Sequence, residues 1–337
     1  MTDEYEAARE TISKSIGAKN NEVVFTRNTT EGLNLVVRSI GLKKGEAVIT
    51  SDREHNSNLV PWQLLEGVKH KIITSKPDET FDIDAFEKAL DKSVKLVSVV
   101  HTSNLDGYTL PVKEIIRISH ENESLVMLDA AQSMPHKKVD VRELDADFIA
   151  FSGHKMLGPY GTGVLYGKYR LLEKLSPFIV GGDTVEKTTY ESHTFLKPPH
   201  KFEAGLQNYA GMIGLAAACQ YLDKIGKDNI EKHEAKLNSI ITEGITNIKG
   251  LRILGPEKPE MRGGIIPFII DGMNHHDVAL MLDKNSNIMI RSGQHCVHSW
   301  FNAHGIDGSA RASLYLYNTE EEAKLFADEL LKIARLR

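Results

Sequence analysis

The chain has little that would tie it to a membrane, a disulfide framework or a polyanion. Only two cysteines, Cys219 and Cys296, occur in 337 residues, and they stand far apart. That argues against a disulfide framework, and at least one free thiol asks for a chemical explanation. No uninterrupted apolar run approaches the roughly 18 residues of a membrane span, and the opening MTDEYEAARE is acidic and polar rather than a signal sequence. The expectation is a soluble, cytoplasmic protein with no membrane partner. A basic stripe is missing too. The 41 Lys and Arg are interspersed with 46 Asp and Glu for a formal charge of -5, which argues against nucleic acid as a partner. Repeats, low-complexity tracts and Pro/Gly-rich linkers are absent. What remains is a 337-residue chain with 41% hydrophobic content. Single cores rarely grow past about 250 to 300 residues, so one large and one smaller domain are expected.

From about residue 22 to 170, short apolar runs alternate with helical patterns, the signature of βαβ units around a mostly parallel, buried sheet with helices on both faces. The runs include Ala47 to Ile49, Leu96 to Val100, Leu125 to Leu128 and Phe148 to Phe151. Ligands of open α/β sheets bind beyond the carboxyl ends of the strands. Residues 101–104, 129–132 and 152–155 should then face one crevice. A helix is expected from near Thr29, with Leu33, Val36, Val37 and Ile40 on one face. Its Asn-Thr-Thr start offers free backbone N–H groups for an anion. A long helix over about 208–225 closes the large domain, placed at 1–224. A smaller α+β domain, 225–337, follows. Its predicted elements are strands at 265–270 and 311–317, a cysteine-bearing loop after Arg291, and a last helix opened by Thr319 and Glu322 as a capping box.

Several polar residues stand where chemistry is done. Lys155 ends the strand-loop segment FSGHK, where burial would lower its pKa and supply the neutral amine needed for a Schiff base. A phosphate contact or simple exposure is the alternative. Asp129 ends the strand LVMLD, about one βαβ step earlier. A carboxylate there can hold a proton on a pyridine nitrogen, or merely cap a helix. Cys296 lies in RSGQHCVHSWF, a polar and flexible setting expected to be exposed, where Arg291 and the imidazoles of His295 and His298 favour thiolate. Zinc is the rival reading of those three ligands, but they are crowded and lack a second pair of metal-site spacing, so no metal is expected. Cys219, within GLAAACQYL, reads as a small buried hydrophobe. Arg311 could hold a carboxylate in a bidentate fork, sharing a strand face with Ser313 and Tyr315. Taken alone, a strand arginine such as Arg311 is more often a surface residue, and His55 reads as a helix cap or surface residue.

Together these segments resemble one family. TRNTTEGLNLV, EHNSNLVPWQ, HTSNLDGYTLPV, LDAAQSMPHKKVDV, FSGHKMLGPYGTGVLYG, KFEAGLQNYAGMIGL, RSGQHC and ARASLYLYNT occur in order. They are similar to the motifs of Suf-type (group II) cysteine desulfurases, class V aminotransferase relatives with the aspartate aminotransferase-like fold of pyridoxal 5'-phosphate (PLP) enzymes. The short span from Cys296 to Arg311 also resembles group II. The resemblance implies that Lys155 holds PLP and removes the Cα proton of L-cysteine. Asp129 would pair with the pyridine nitrogen, Gln132 with the ring oxygen, and His55 would stack on the ring and assist proton transfer. Thr29, Thr30, Ser152 and His154 would bind the phosphate. Asn104 and Arg311 would hold the substrate carboxylate, with Arg291 near the entering thiol. Cys296 would take the sulfur as a persulfide, leaving alanine and supplying iron–sulfur cluster assembly. A homodimer is implied, as is a sulfur acceptor such as a SufE/SufU-like shuttle or SufBCD-like scaffold.

Two departures from the family pattern accompany this resemblance. Family members carry a further N-terminal segment with an Asp-Asn-Ala-Ala-like motif lining the pocket, and this chain starts after it. Leu206 replaces the threonine that reaches the partner subunit's phosphate, so its side chain cannot make that contact; Gln207 is the nearest substitute. Competing readings are a selenocysteine lyase, another class V lyase or epimerase, and an inactive homologue lacking the N-terminal segment.

Overall fold

The computed structural model describes residues 2–336. Seven strands form the central sheet: β1 (Val23–Thr26), β2 (Ala47–Ser51), β3 (Lys69–Ile73), β4 (Val94–Val100), β5 (Leu125–Asp129), β6 (Phe148–Ser152) and β7 (Gly163–Gly167). Their order is β1-β7-β6-β5-β4-β2-β3. The pairs from β6 through β3 are all parallel, whereas β7 runs antiparallel to both β6 and β1. Residues of β4, β5 and β6 are buried on both faces almost throughout, which explains why they read as continuous apolar runs rather than as alternation.

Helices cover both sides. α1 (Thr2–Ser15) packs against the helix Tyr209–Ile225, and α2 (Thr29–Ser39) lies over β6 and β7. α1 is further tied down by Arg9, 1% exposed, whose guanidinium donates to both carboxylate oxygens of Glu203. A bidentate pair of this kind gains its strength from satisfying both partners at once. Each of the two sheet faces carries its own apolar cluster, one around Ile12, Phe86 and Ile149, the other around Leu33, Trp62 and Phe148.

A hairpin of β8 (Val185–Thr188) and β9 (His193–Phe195) leaves the main body. A second sheet follows, ordered β10-β11-β13-β12, from β10 (Leu251–Ile253), β11 (Ile265–Ile270), β12 (Arg291–Gly293) and β13 (Ser309–Ser313). It buries Phe268, Ala310 and Ala312 against the helices Lys227–Ile245 and Glu320–Ala334. The last helix is opened by the expected capping box of Thr319 and Glu322.

The strand expected at 311–317 is displaced: it spans Ser309–Ser313. Beyond Ser313 the backbone leaves the ladder. The N–H of Leu314 donates to Gly264 O, and that of Tyr315 to the Asn318 side chain. The alternating pattern persisted past the strand because Leu314 and Tyr315 are buried in loop packing.

Candidate active site

The parallel sheet supplies the first half of the site. β5 and β6 are adjacent and in parallel register, with Asp129 opposite Ala150. Asp129 and the Gly153–Lys155 turn therefore leave the sheet at one edge. The Asp129 carboxylate is buried and accepts a 2.9 Å hydrogen bond from the Ala131 N–H. Burial pushes its pKa up, and Lys155 pulls it partly back. Lys155 shows the converse: burial pushes the amine below the usual lysine range, Asp129 opposes this, and Arg311 and Arg291 add to it.

The start of α2 lies beside these two groups. Asn28 caps it by accepting from the Glu31 N–H. The Thr29 N–H donates to Ser152 Oγ at 2.8 Å, and the Thr29 and Ser152 hydroxyls are 2.6 Å apart. Thr30 pairs with Ser57 at 2.7 Å. This close seat depends on Gly163, where a Cβ would come within 2.6 Å of Asn28 Cα. A helix N-terminus ringed by hydroxyls is suited to a phosphate.

His55 caps α3 (Asn56–Gln63), its Nδ1 accepting from the Ser57 N–H. That bond leaves the ring proton on Nε2. Burial, then the nearby Lys155 charge, lower the imidazole pKa to about 4, so the ring is neutral near pH 7. The preceding residue, Glu54, is buried among Ser51, Asn58 and the Val100 N–H, its pKa pushed up by burial to about 7. Thr29, Thr30, His55, Asn104, Asp129, Gln132, Ser152, His154 and Lys155 all line one cavity of about 180 Å³. Asn28, read from the sequence only as part of the helix start, also lines it, as does Ser57, which sequence reasoning missed. Ser57 was visible only as the residue two past a capping position.

The second half comes from the smaller sheet. Arg291 and Arg311 are direct cross-strand partners on β12 and β13. Arg291 Nη2 donates to Cys296 Sγ at 3.3 Å. The thiol is half-buried rather than exposed, because its loop is clasped by the larger unit. The Asn56 N–H donates to Cys296 O, Asn56 Nδ2 to His298 Nδ1, and Asn104 Nδ2 to His295 O, all at 2.7 to 2.8 Å. The flanking imidazoles are thus engaged away from the sulfur: His295 pairs with Ser309 and His298 with Asn56. Both His295 and Cys296 adopt left-handed backbone, φ 50° and 63°. Arg311 is buried, donates from Nη1 to Asn104 O at 2.6 Å, and keeps an unpartnered buried Nε among the described residues. Cys219 is the buried hydrophobe expected, its thiol pKa pushed up by burial to about 12.

A match to the family described as aminotransferase class-V covers residues 1–326. The chain belongs to that class-V aminotransferase family. Among its relatives is a probable cysteine desulfurase of Halalkalibacterium halodurans, 41% identical over 98% of this chain and 82% of that protein. The apo structure of cysteine desulfurase from Thermococcus onnurineus NA1 superimposes with a TM-score of 0.96 at 39% identity, covering 100% of this chain and 85% of the other. Cysteine desulfurase CsdA from Escherichia coli gives 0.94 at 32% identity, covering 99% and 84%. The expected class-V fold is therefore the observed one.

Proposed function

We propose that this class-V protein is a PLP-dependent cysteine desulfurase that moves the sulfur of L-cysteine to Cys296. The observation that carries this reading is the position of a half-buried thiol 3.3 Å from a guanidinium, clasped beside a cavity holding a depressed lysine and a buried carboxylate. The cavity residues fit PLP. Asp129 would face the pyridine nitrogen and Gln132 the ring oxygen. Thr29, Thr30, Ser152 and His154 would take the phosphate at the start of α2, and Lys155 would hold the aldehyde carbon. When bound, PLP supplies an electron sink for charge developing at the substrate Cα.

The remaining steps fall to the protein. Arg311, with its unused Nε, and Asn104 hold the substrate carboxylate. Lys155 accepts the Cα proton, and neutral His55 assists proton movement. The Cys296 thiolate attacks the substrate sulfur, so an S–S bond forms as the C–S bond breaks. The carbon retains the bonding pair, takes up protons and leaves as alanine; Cys296 is left as a persulfide.

The rest of the reading extends this proposal. The short Cys296-to-Arg311 span supports group II membership, and transfer to a SufE/SufU-like shuttle or SufBCD-like scaffold would feed cluster assembly. Exposed Leu206 and Ile179, beside a concavity of about 500 Å³, support a homodimer. The Gln207 amide donates to Glu203 O and Gly205 O of its own loop, so it would have to turn outward to replace the family threonine. A division at 224/225 is part of the same proposal; the second sheet has its own apolar core, although Ile230 and Tyr315 pack into the core of the larger sheet. Among the described residues no helix is long and apolar enough to cross a membrane, in keeping with a cytoplasmic site of action. Mass spectrometry after incubation with PLP and L-cysteine tests the central proposal. One added sulfur on Cys296 with stoichiometric alanine is expected; alanine without sulfur on Cys296 would refute the persulfide role.

A further inference from the structure

The cavity wall does not include Arg53, yet this side chain is one of the largest fully buried in the chain, 1% exposed. Its Nη1 donates to Asp106, itself 1% exposed as a side chain, and its Nη2 donates to Ser75 Oγ. Asp52 and Glu79 lie at 3.7 and 3.5 Å. Three carboxylates therefore surround one guanidinium, and Asp106 is the most deeply buried of them. Removing Arg53 leaves the deeply buried Asp106 carboxylate without its ion-pair partner.

Asp106 in turn shapes a short loop. Its second oxygen accepts from the Tyr108 N–H at 3.1 Å, while the Ser103 N–H donates to Tyr108 O and the Gly107 N–H to Ser103 O. Asn104 is inside that loop. One amide group of Asn104 holds the His295 carbonyl of the cysteine loop, and its own carbonyl receives Arg311. The loop has no room to drift: a Cβ on Gly107 would fall 1.7 Å from Arg262 O, and one on Gly255 would fall 2.5 Å from Asp106 Cβ. A shift of Asp106 must then be passed on to Asn104.

We infer that Arg53 is a positioning residue for the substrate end of the site, acting through Asp106 to set Asn104, Arg311 and the Cys296 loop. It touches neither the cavity nor the thiol. Its contribution is to hold one loop against two clients at once, the guanidinium that meets the carboxylate and the turn that carries the sulfur acceptor. This inference rests on the roles proposed above for Asn104 and Arg311.

The test uses the full-length holoenzyme with Asp106→Asn, Arg53→Lys and Arg53→Met. Readouts are KM and kcat for alanine formation, and the rate at which iodoacetamide alkylates Cys296, with buried Cys219 as an internal reference. Asp106→Asn and Arg53→Lys should keep the cofactor colour. Their KM should rise about tenfold with kcat changed less, and Cys296 alkylation should accelerate about threefold, the size expected when a coupling of this kind is loosened. Lowered thermal stability with wild-type KM and wild-type alkylation would overturn the inference, since a merely structural ion pair behaves that way. If Arg53→Met fails to fold, Arg53→Lys decides. If the wild type makes no alanine, the functional reading fails, and alkylation alone judges the coupling.

Discussion

The cradle around Lys155 and the clasp around Cys296 are built by different means. The cradle is made of adjacent strand ends and a helix start, all within residues 28–155, and each is fixed by backbone ladders or a cap. The clasp is an edge loop of the second sheet, docked by hydrogen bonds between residues 191 to 242 positions apart. Only a few such bonds join it to the larger unit, and each is worth about 1 kcal/mol net. The lesson is that cofactor binding and sulfur transfer are separable. Damage to the clasp should leave the cradle whole, whereas damage to the cradle leaves the clasp with nothing to receive.

The largest effect should come from breaking the cradle. Lys155→Ala removes both the attachment point and the base, so alanine formation should fall by more than about 10⁴-fold. The visible absorption band of the bound aldehyde should change with it. Cys296→Ser breaks the other half and should cost about 10³-fold in alanine release while leaving that band intact; loss of colour in this variant would show that the two halves are not separable. A smaller effect sharpens the comparison through pH. His295 is 2% exposed with an Nδ1 that has no partner among the described residues, and burial and then Arg311 lower its pKa to about 3. The unfolded chain binds this proton near pH 6.5. The unfolded state therefore holds more protons between about pH 6.5 and 3, and the contribution of His295 is complete above pH 6.5 and lost as pH falls through that window. His295→Gln should flatten the acid limb of the melting temperature. An unchanged limb would show that the clasp does not carry that proton linkage.

Legibility in the sequence follows the same division. The strand ends were readable because a buried parallel strand is a short apolar run with a polar stop, and Asp129 and Lys155 are such stops. That the start of α2 could bind an anion followed from capping chemistry near Thr29, whereas its meeting with those strand ends was implied only by the family resemblance. Local periodicity could not reveal that Asn56 and Asn104 grip a loop near residue 296, or that Ser57 closes on Thr30, since these contacts exist only once distant elements are packed. The half-buried state of Cys296 was misread for that reason: its surroundings in sequence are polar, but its surroundings in space are the larger unit. The register of β13 was misplaced because burial of Leu314 and Tyr315 imitates strand alternation.

Arg291 and Arg311 are direct partners across β12 and β13. Like charges opposite one another on neighbouring strands oppose folding, and Arg311 is held down to about 10 by burial first and by Arg291 next. A small carboxylate entering between the two guanidiniums therefore relieves that repulsion. By mass action such a ligand binds the folded chain alone, so added substrate acids should raise the melting temperature in step with their concentration. Occupancy, in this protein, is also a form of ballast.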